Sequence, residues 1–341
     1  MVISRTPFRI SFFGGGTDYP AWYRKNGGTV LATTINKYCY LNARYLPPFF
    51  GYKYRIAYNS KIENCKTINQ ILHPSVREVI RFLKIHRGLE IHYDADLPGR
   101  SGLGSSSAFT VGLLHALYAL RGHISSKRIL AKESIYLEQK VLKETVGSQD
   151  QVLASYGGFN LITFHKDGEI TIKPMTISSQ RTQELQNHLM LFYTGIMRTA
   201  SDIAKSYVDN IKSRQKQLDR MHELVSDAFE VLTSKKDIKD FGKLLNESWQ
   251  HKRALSSTVS NPKIDGLYDR AISTGALGGE LIGAGGGGFI LLFVPPQYQA
   301  KVREEFKKLI YVPFQFEYGG SQIIFYDTQD DYSLLEKNKF I

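Results

Sequence analysis

Pro98-Gly99-Arg100-Ser101-Gly102-Leu103-Gly104-Ser105-Ser106-Ser107-Ala108 is the stretch on which the fold turns. It follows a strand-like run, Leu89 to Ala95, and opens a helical one, Ser105 to Leu120. In that helix the apolar positions Phe109, Leu113, Leu114 and Leu117 recur at helical spacing. Glycines at such a junction let main-chain N–H groups turn inward around an anion. The helix start adds unpaired donors and the positive end of the helix dipole. The hydroxyls of Ser105, Ser106 and Ser107 can bond phosphate oxygens or ligate magnesium. The frame Gly99-x4-Gly104-Ser105-Ser106 is one residue short of a P-loop, because Ser105 stands where that loop needs lysine. Positive charge facing a phosphate then has to come from Arg100 or from a metal ion.

Two more glycine clusters flank this one at a distance. Gly283-Ala284-Gly285-Gly286-Gly287-Gly288 lies between the apolar runs Leu281-Ile282 and Phe289 to Val294. Five glycines in six residues cost chain entropy beyond what a hairpin turn needs, which points to close approach of a ligand or another loop. Near the start, Pro7-Phe8-Arg9-Ile10-Ser11-Phe12-Phe13 runs into Gly14-Gly15-Gly16-Thr17-Asp18-Tyr19. Arg9, inside an otherwise apolar strand, needs an anionic partner, either a buried carboxylate or a ligand group. Asp18 offers acceptors for sugar hydroxyls.

The rest of the chain supplies a scaffold of two domains. Its 341 residues are 42% hydrophobic and 22% charged, enough apolar surface to build cores and too many residues for one small one. Residues 1–95 read mostly as strands and turns, with Thr29 to Ile35 and Tyr38 to Tyr45 as paired strands. A helix is expected over Ser126 to Glu144, and strands from Gly157 to about Lys173. Composition turns polar near Pro174 to Asn187, which sets a boundary between 1–180 and 181–341. Beyond it, Met190 to Thr194 reads as a strand, and Thr199 to Thr233 and Asp237 to Leu255 as long amphipathic helices. Pro262 opens a third helix, Pro296 to Leu309 is helical, and Phe314 to Phe325 returns as strands.

The charge balance of 44 Lys+Arg against 32 Asp+Glu gives +12, which favours anionic partners. The basic residues are scattered, without the stripe that nucleic-acid binding requires, so phosphorylated small molecules are the simpler partner and no nucleic acid is expected. Two cysteines, Cys39 and Cys65, cannot make a four-ligand zinc site. The longest apolar run is far short of a membrane span, and no signal-peptide core is evident, so a cytoplasmic protein with no membrane partner is expected.

Taken together and in this order, the three motifs resemble those of the GHMP small-molecule kinases, named for galactokinase, homoserine kinase, mevalonate kinase and phosphomevalonate kinase. Pro7-Phe8-Arg9 to Asp18 is similar to the first family motif, Pro98 to Ser106 to the second, and Gly283 to Gly288 to the third, across nearly the whole chain. Gly14-Gly15-Gly16-Thr17-Asp18-Tyr19 and Val146-Gly147-Ser148-Gln149-Asp150-Gln151 look like the branch that phosphorylates D-glycero-D-manno-heptose 7-phosphate, with fucokinase more distant. Glu280 departs from the pattern, since many members carry lysine three residues before the glycine run.

The resemblance implies an α+β fold of two domains, the first like ribosomal protein S5 and the second ferredoxin-like. It also implies ATP and Mg²⁺ as cofactors. ATP would lie on Pro98, Gly99, Arg100, Ser101, Gly102, Leu103, Gly104, Ser105, Ser106 and Ser107. Asp150 and Arg9 become the catalytic pair, and Ser106 and Glu138 the magnesium ligands. Gly15, Gly16, Thr17, Asp18, Gly285, Gly286 and Arg198 would face the substrate. Arg24, Lys25, Arg198 and Lys205 are candidates for holding a second substrate phosphate. The expected activity is transfer of the ATP γ-phosphoryl group to the anomeric hydroxyl of a heptose 7-phosphate. A fucose or galactose 1-kinase, a non-catalytic sugar and ATP sensor, and a nucleic-acid binder are the competing readings. Oligomeric state is not legible.

Overall fold

The computed structural model describes residues 1–196, 200–208, 211–328 and 330–335. Among the described residues, strands β1 (Val2–Phe13), β2 (Gly28–Tyr45), β3 (Tyr54–Tyr58), β4 (Lys61–Cys65), β5 (Leu89–Ala95), β6 (Phe159–Phe164) and β7 (Ile170–Pro174) form most of a nine-stranded sheet. A four-stranded antiparallel sheet follows from β8 (Leu189–Tyr193), β9 (Gly278–Leu281), β10 (Phe289–Phe293) and β11 (Ile310–Tyr311), in the order β11-β8-β10-β9. The last strands, β12 (Phe316–Glu317) and β13 (Gln322–Tyr326), return to the first sheet and pair with β2 and β1. A composition shift near residue 180 cannot reveal this return, because strands of either sheet read alike.

Helices α1 (Pro20–Asn26), α2 (Pro74–Phe82), α3 (Ser105–Leu120), α4 (Lys127–Tyr136), α5 (Gln149–Tyr156) and α6 (Ser179–His188) belong to the first half. Helices α7 (Ala200–Val208), α8 (Gln215–Thr233), α9 (Lys239–Arg253), α10 (Pro262–Thr274) and α11 (Pro296–Glu305) belong to the second. α3 is apolar along most of its length and lies on β1 and β2. Gly112 permits that approach, since a Cβ there would stand 2.8 Å from the Thr6 hydroxyl. This packing fixes the start of α3, and with it the glycine loop, against the sheet.

Three expected elements take a different form. The helix expected over Ser126 to Glu144 stops at Tyr136, and Leu137–Val141 widens into a π-helical turn. The helix expected over Thr199 to Thr233 is divided into α7 and α8, with a 3₁₀ turn at Ile211–Arg214 before α8. The polar stretch at Pro174 to Asn187 contains α6, which buries only Leu185 and His188 and so carries almost no apolar signal.

An aromatic cluster couples the two sheets. Phe241 on α9 meets Phe12 and Phe13 of β1 edge-on, with ring centroids 5.5 and 5.1 Å apart, and contacts Phe293 of β10 at 6.2 Å. Each edge-to-face pair adds about 0.5–1.5 kcal/mol beyond its buried area. The loops at the sheet ends are therefore held in register across the junction.

Candidate active site

The glycine loop leaves β5 and ends at α3. Arg100, Gly102 and Gly104 all adopt positive φ, at 58°, 92° and 75°. Ser101 donates to the Pro98 carbonyl at 2.6 Å, and the Arg100 N–H donates to Ser105 Oγ at 3.1 Å. Pro98, Gly99 and Arg100 are exposed, while the Ser101 and Leu103 side chains point inward. No side chain caps α3. The first N–H groups of the helix are thus left for an anion, as a phosphate site requires.

Arg9 ties this loop to Asp150. Its Nε and Nη2 donate to Asp150 Oδ1 and Oδ2 at 2.7 and 2.8 Å, a bidentate pair, and its Nη1 donates to the Gly102 carbonyl at 2.5 Å. The main chain of Arg9 donates to the Leu103 carbonyl as well. Gly104 closes the arrangement, because a Cβ there would lie 3.1 Å from Arg9 Cγ and 3.4 Å from Asp150 Oδ2. Arg9 is buried, whereas the Asp150 side chain keeps a quarter of its surface open. A fixed, partly open carboxylate at the rim of an anion loop can orient an acceptor hydroxyl and take its proton.

The first glycine turn stands behind Asp150. Thr17 is buried, and its hydroxyl bonds main-chain carbonyls of Gly14 and Thr29. A Cβ on Gly14 would fall 1.9 Å from the Thr29 carbonyl, and one on Gly16 would press on Leu218 of α8. Gly15 is the open member of the turn and faces Ser11 and Gln149. Asp18 is buried. Its Oδ1 accepts from the Gly16 N–H at 3.1 Å and its Oδ2 from the Gln149 N–H at 3.3 Å. Burial, then the Asp150 charge, push its carboxyl up to about 6. Main-chain N–H groups thus reach both oxygens of Asp18, the residue expected to accept from sugar hydroxyls, and each oxygen keeps a second acceptor position.

Glu138 sits on the π-helical turn, fully buried. Its Oε2 accepts from the Ser107 hydroxyl at 2.8 Å and from Gln151 Nε2 at 2.5 Å. Its Oε1 is buried with no hydrogen-bond partner. Burial and then Glu144 raise its carboxyl to about 7. An orphaned carboxylate oxygen is costly unless a proton or a cation satisfies it, so this donor set fits a hard divalent ion. Ser107 is the serine at Glu138. Ser106, the expected co-ligand, is exposed one position earlier on α3. Among the described residues, no cluster of three or more His, Cys, Asp and Glu could hold a metal ion. A magnesium ion that takes one carboxylate and several phosphate oxygens needs no such cluster.

The third glycine run packs against the protein on several sides. A Cβ on Gly288 would stand 2.0 Å from the Ser101 carbonyl, so this loop abuts the phosphate loop across the two sheets. Gly285 presses on Val259 and Gly286 on Ile203. Of the candidate phosphate-holding cations, Arg24 is exposed and donates one N–H to the Asp167 carbonyl at 2.5 Å, and Lys25 and Lys205 are exposed. Arg198 lies outside the described residues. Sequence reasoning did not find Lys252, whose ammonium donates to Glu280 Oε2 at 2.7 Å and to the Leu281 carbonyl at 2.8 Å just before the glycine run. A lysine on a charged helix face gives no sign of such a partner. Ser107 was named with the phosphate loop, but its bond to Glu138, and that of Gln151, became visible only once α3, α5 and the π turn came together.

A helix start open to phosphate, beside a guanidinium-braced carboxylate, is the equipment of a small-molecule kinase. Comparison with known proteins agrees. Residues 72–158 match the GHMP kinases N terminal domain, and residues 215–312 match GHMP kinases C terminal. The D-glycero-alpha-D-manno-heptose 7-phosphate kinase of Campylobacter jejuni is 30% identical over 310 residues, covering 86% of this chain and 89% of that protein. The L-fucokinase/L-fucose-1-P guanylyltransferase of Bacteroides fragilis is 25% identical over 89% of this chain and 36% of its own length. A crystal structure of a D-glycero-D-manno-heptose 1-phosphate kinase from Bacteroides thetaiotaomicron superposes with a TM-score of 0.78 at 22% identity, over 96% of this chain and all of that one. The chain belongs to the GHMP kinase family. It is an ATP-dependent phosphotransferase acting on an alcohol acceptor, with the two-domain α+β fold that its motifs imply. Among the described residues no helix is long and apolar enough to cross a membrane.

Proposed function

We propose that the enzyme transfers the γ-phosphoryl group of ATP to the anomeric hydroxyl of D-glycero-D-manno-heptose 7-phosphate, giving the 1,7-bisphosphate and ADP. In the cell this would be a cytoplasmic step supplying nucleotide-activated heptose for polysaccharide. The observation that carries the chemistry is the bidentate Arg9–Asp150 pair at the end of the phosphate loop. The observation that favours this sugar is similarity to the Campylobacter enzyme along most of both chains.

In this reading the phosphates of ATP lie on the main-chain donors of 98–107, at the start of α3. The sugar lies toward Gly15 and Asp150, with Gly16, Gly285, Gly286 and Arg198 as its further surroundings. The anomeric oxygen forms a bond to the γ-phosphorus as the bond to the β-phosphate oxygen breaks. Asp150 accepts the hydroxyl proton and ADP leaves with the bond pair. The transition state of phosphoryl transfer is loose, so placement and charge matter more than base strength. Arg9 serves both, holding Asp150 and offsetting charge at the loop. Glu138, with the hydroxyls of Ser106 and Ser107, would hold Mg²⁺, which when bound neutralises phosphate charge.

A neutral sugar is the second reading, favoured by the match to the L-fucokinase of Bacteroides fragilis. One experiment separates them. ADP release is measured with ATP and Mg²⁺ over D-glycero-D-manno-heptose 7-phosphate, the unphosphorylated heptose, L-fucose, galactose and mannose. Turnover confined to the heptose phosphate supports the proposal, whereas turnover on L-fucose replaces it. The Asp150→Asn variant is expected to lose about 10²–10⁴-fold in kcat, the usual worth of a positioned general base.

A further inference from the structure

Glu138 is held from two sides by side chains of two different helices. Ser107, on α3, donates its hydroxyl to Glu138 Oε2 at 2.8 Å. Gln151, on α5 and next to Asp150, donates its side-chain amide to the same oxygen at 2.5 Å. All three side chains are buried, Glu138 and Gln151 wholly so. A carboxylate oxygen offers two acceptor positions, so Oε2 is full. Oε1 carries no hydrogen bond. Thr110, whose hydroxyl stands close by, donates to the Ser106 carbonyl at 3.2 Å instead. The two oxygens of one carboxylate are thus made unequal.

The Gln151 amide has one workable orientation. Turned over, its oxygen would meet Glu138 Oε2, acceptor against acceptor. In the orientation it takes, its own Oε1 is buried without a partner. A buried acceptor left unpaired is destabilising, and an apolar side chain of the same length would avoid that loss. Stability alone therefore does not account for glutamine at 151. The π-helical turn is fixed as well. Gln139, beside Glu138, donates through Nε2 to the Val146 carbonyl and to Ser148 Oγ, both at 3.1 Å. The Glu144 N–H donates to the Glu138 carbonyl at 2.9 Å. The turn that carries Glu138 is thus tied to the loop ahead of Asp150, and its carboxylate has little freedom to rotate.

We propose that Gln151 is a positioning residue that sets the ion preference of the metal site. With Ser107 it fills Glu138 Oε2 and leaves the carboxylate a single free oxygen, which favours a small divalent ion over a larger one. This inference rests on Glu138 as the magnesium ligand in the reading above. Mg²⁺ demands near-octahedral order and is content with one oxygen from a carboxylate, whereas Ca²⁺ gathers about six to eight oxygens and readily takes both from one group. Without the Gln151 donor, Oε2 becomes available to an ion and the carboxylate is free to turn. Partners standing behind a metal ligand are typically worth about 10–100-fold in metal affinity or activity.

The test is metal binding by Gln151→Met, Gln151→Asn and Glu138→Gln beside the wild type, and it needs no sugar. The probe is Mn²⁺, which shares the octahedral oxygen preference of Mg²⁺, with Ca²⁺ as the larger competitor. The Mn²⁺ Kd is read by electron paramagnetic resonance on enzyme saturated with a non-hydrolysable ATP analogue, and the Ca²⁺ Kd by displacement of Mn²⁺. Gln151→Met keeps the length of the side chain and removes the donor. It is expected to raise the Mn²⁺ Kd by about tenfold and to leave the Ca²⁺ Kd within about threefold, so that the preference between the ions falls. Gln151→Asn, whose amide stops one methylene short, is expected to do the same. A ratio of the two Kd values unchanged from wild type, whatever happens to Tm, would overturn the inference, since a glutamine that serves only packing moves Tm alone. Calorimetry verifies folding, and should Gln151→Met fail that check, Gln151→Asn decides. Glu138→Gln is expected to weaken Mn²⁺ at least as much as either. An unchanged Mn²⁺ Kd there would refute Glu138 as the ligand and this inference with it, a result distinct from an unchanged ion ratio in the Gln151 variants.

Discussion

Replacing Lys252 by methionine is expected to cost the enzyme several kcal/mol and to make its stability depend on pH. Lys252 and Glu280 form a nearly dry ion pair, with side chains 12% and 4% exposed and an Nζ to Oε2 distance of 2.7 Å. Glu280 sits on β9 opposite Leu291 of β10, and its second oxygen is buried without a hydrogen bond. Burial already raises its carboxyl, with Lys252 and then Arg9 opposing that rise. Removing one member of a buried pair typically costs about 3–5 kcal/mol, because the other charge is stranded. With an unfolding entropy of roughly 2.1 cal/mol/K per residue over the whole chain, that loss lowers Tm by about 4–7 °C. Glu280 without its ammonium holds a proton in the native state well above its unfolded pKa of about 4.3. A raised native pKa gives stability that is complete below the unfolded value and is lost as pH rises, so the deficit is small at about pH 5 and full at about pH 8. Differential scanning calorimetry of Lys252→Met at both pH values reads this directly. The Lys252→Met/Glu280→Leu double variant should recover most of the loss, since a dry pair exchanged whole for apolar groups is often neutral. Equal deficits at both pH values, or a double variant as unstable as the single, would refute the argument.

Other perturbations follow from the same geometry. Arg9→Met frees Asp150 from both of its donors and should lower kcat by about 10²–10³-fold, measured as ADP release at saturating ATP and sugar. Gly288→Ala must place a methyl 2.0 Å from the Ser101 carbonyl at a φ of 99°, so the phosphate loop shifts. Titration with a fluorescent ATP analogue should show Kd raised by about tenfold or more, a loss of roughly 1.4 kcal/mol. Glu138, with its carboxyl raised to about 7, contributes stability that is full below its unfolded pKa and lost as pH rises through that value. The apo enzyme should therefore lose urea resistance from pH 5 to pH 8, and Glu138→Gln should flatten that slope. A wild type more resistant at pH 8, with the same slope in the variant, would contradict the burial argument.

How much of this was legible in the sequence depends on how local each signal is. The glycine loop, the helix it opens and the strand before it are all written in one continuous stretch, Leu89 to Leu120, and the structure follows them closely, from β5 through α3. Arg9 announced its need for an anion because a guanidinium in an apolar strand has no other way to be buried. It could not say which anion, since Asp150 lies 141 residues away. Helical periodicity likewise cannot separate an α turn from a π turn. The residues around Glu138 read as one continuous helix, although one extra residue per turn there is what faces Glu138 toward Ser107 and Gln151.

Asp18 and Glu280 show a different limit. Asp18 stands inside a family-like motif, whose logic assigns its carboxylate to the ligand, and Glu280 stands where that pattern carries lysine. In the folded chain each is buried, and each bonds to protein: Asp18 to the main chain ahead of Asp150, Glu280 to Lys252. A motif records which residue types meet at a site, whereas the fold decides which partners each one takes. With lysine absent from position 280, the ammonium beside the third glycine run comes from α9, and it can act there only because Glu280 offsets its charge in a dry setting. Exchanging the two residues, Lys252→Glu with Glu280→Lys, would keep the pair while returning lysine to β9. If the pair alone matters, ATP affinity and Tm should both stay near wild type. If the direction of the pair matters, because Arg9 lies near enough to favour a carboxylate at 280, the exchanged enzyme should fold yet lose kcat. The second outcome is the one expected, since the Arg9 charge favours a carboxylate over an ammonium at 280.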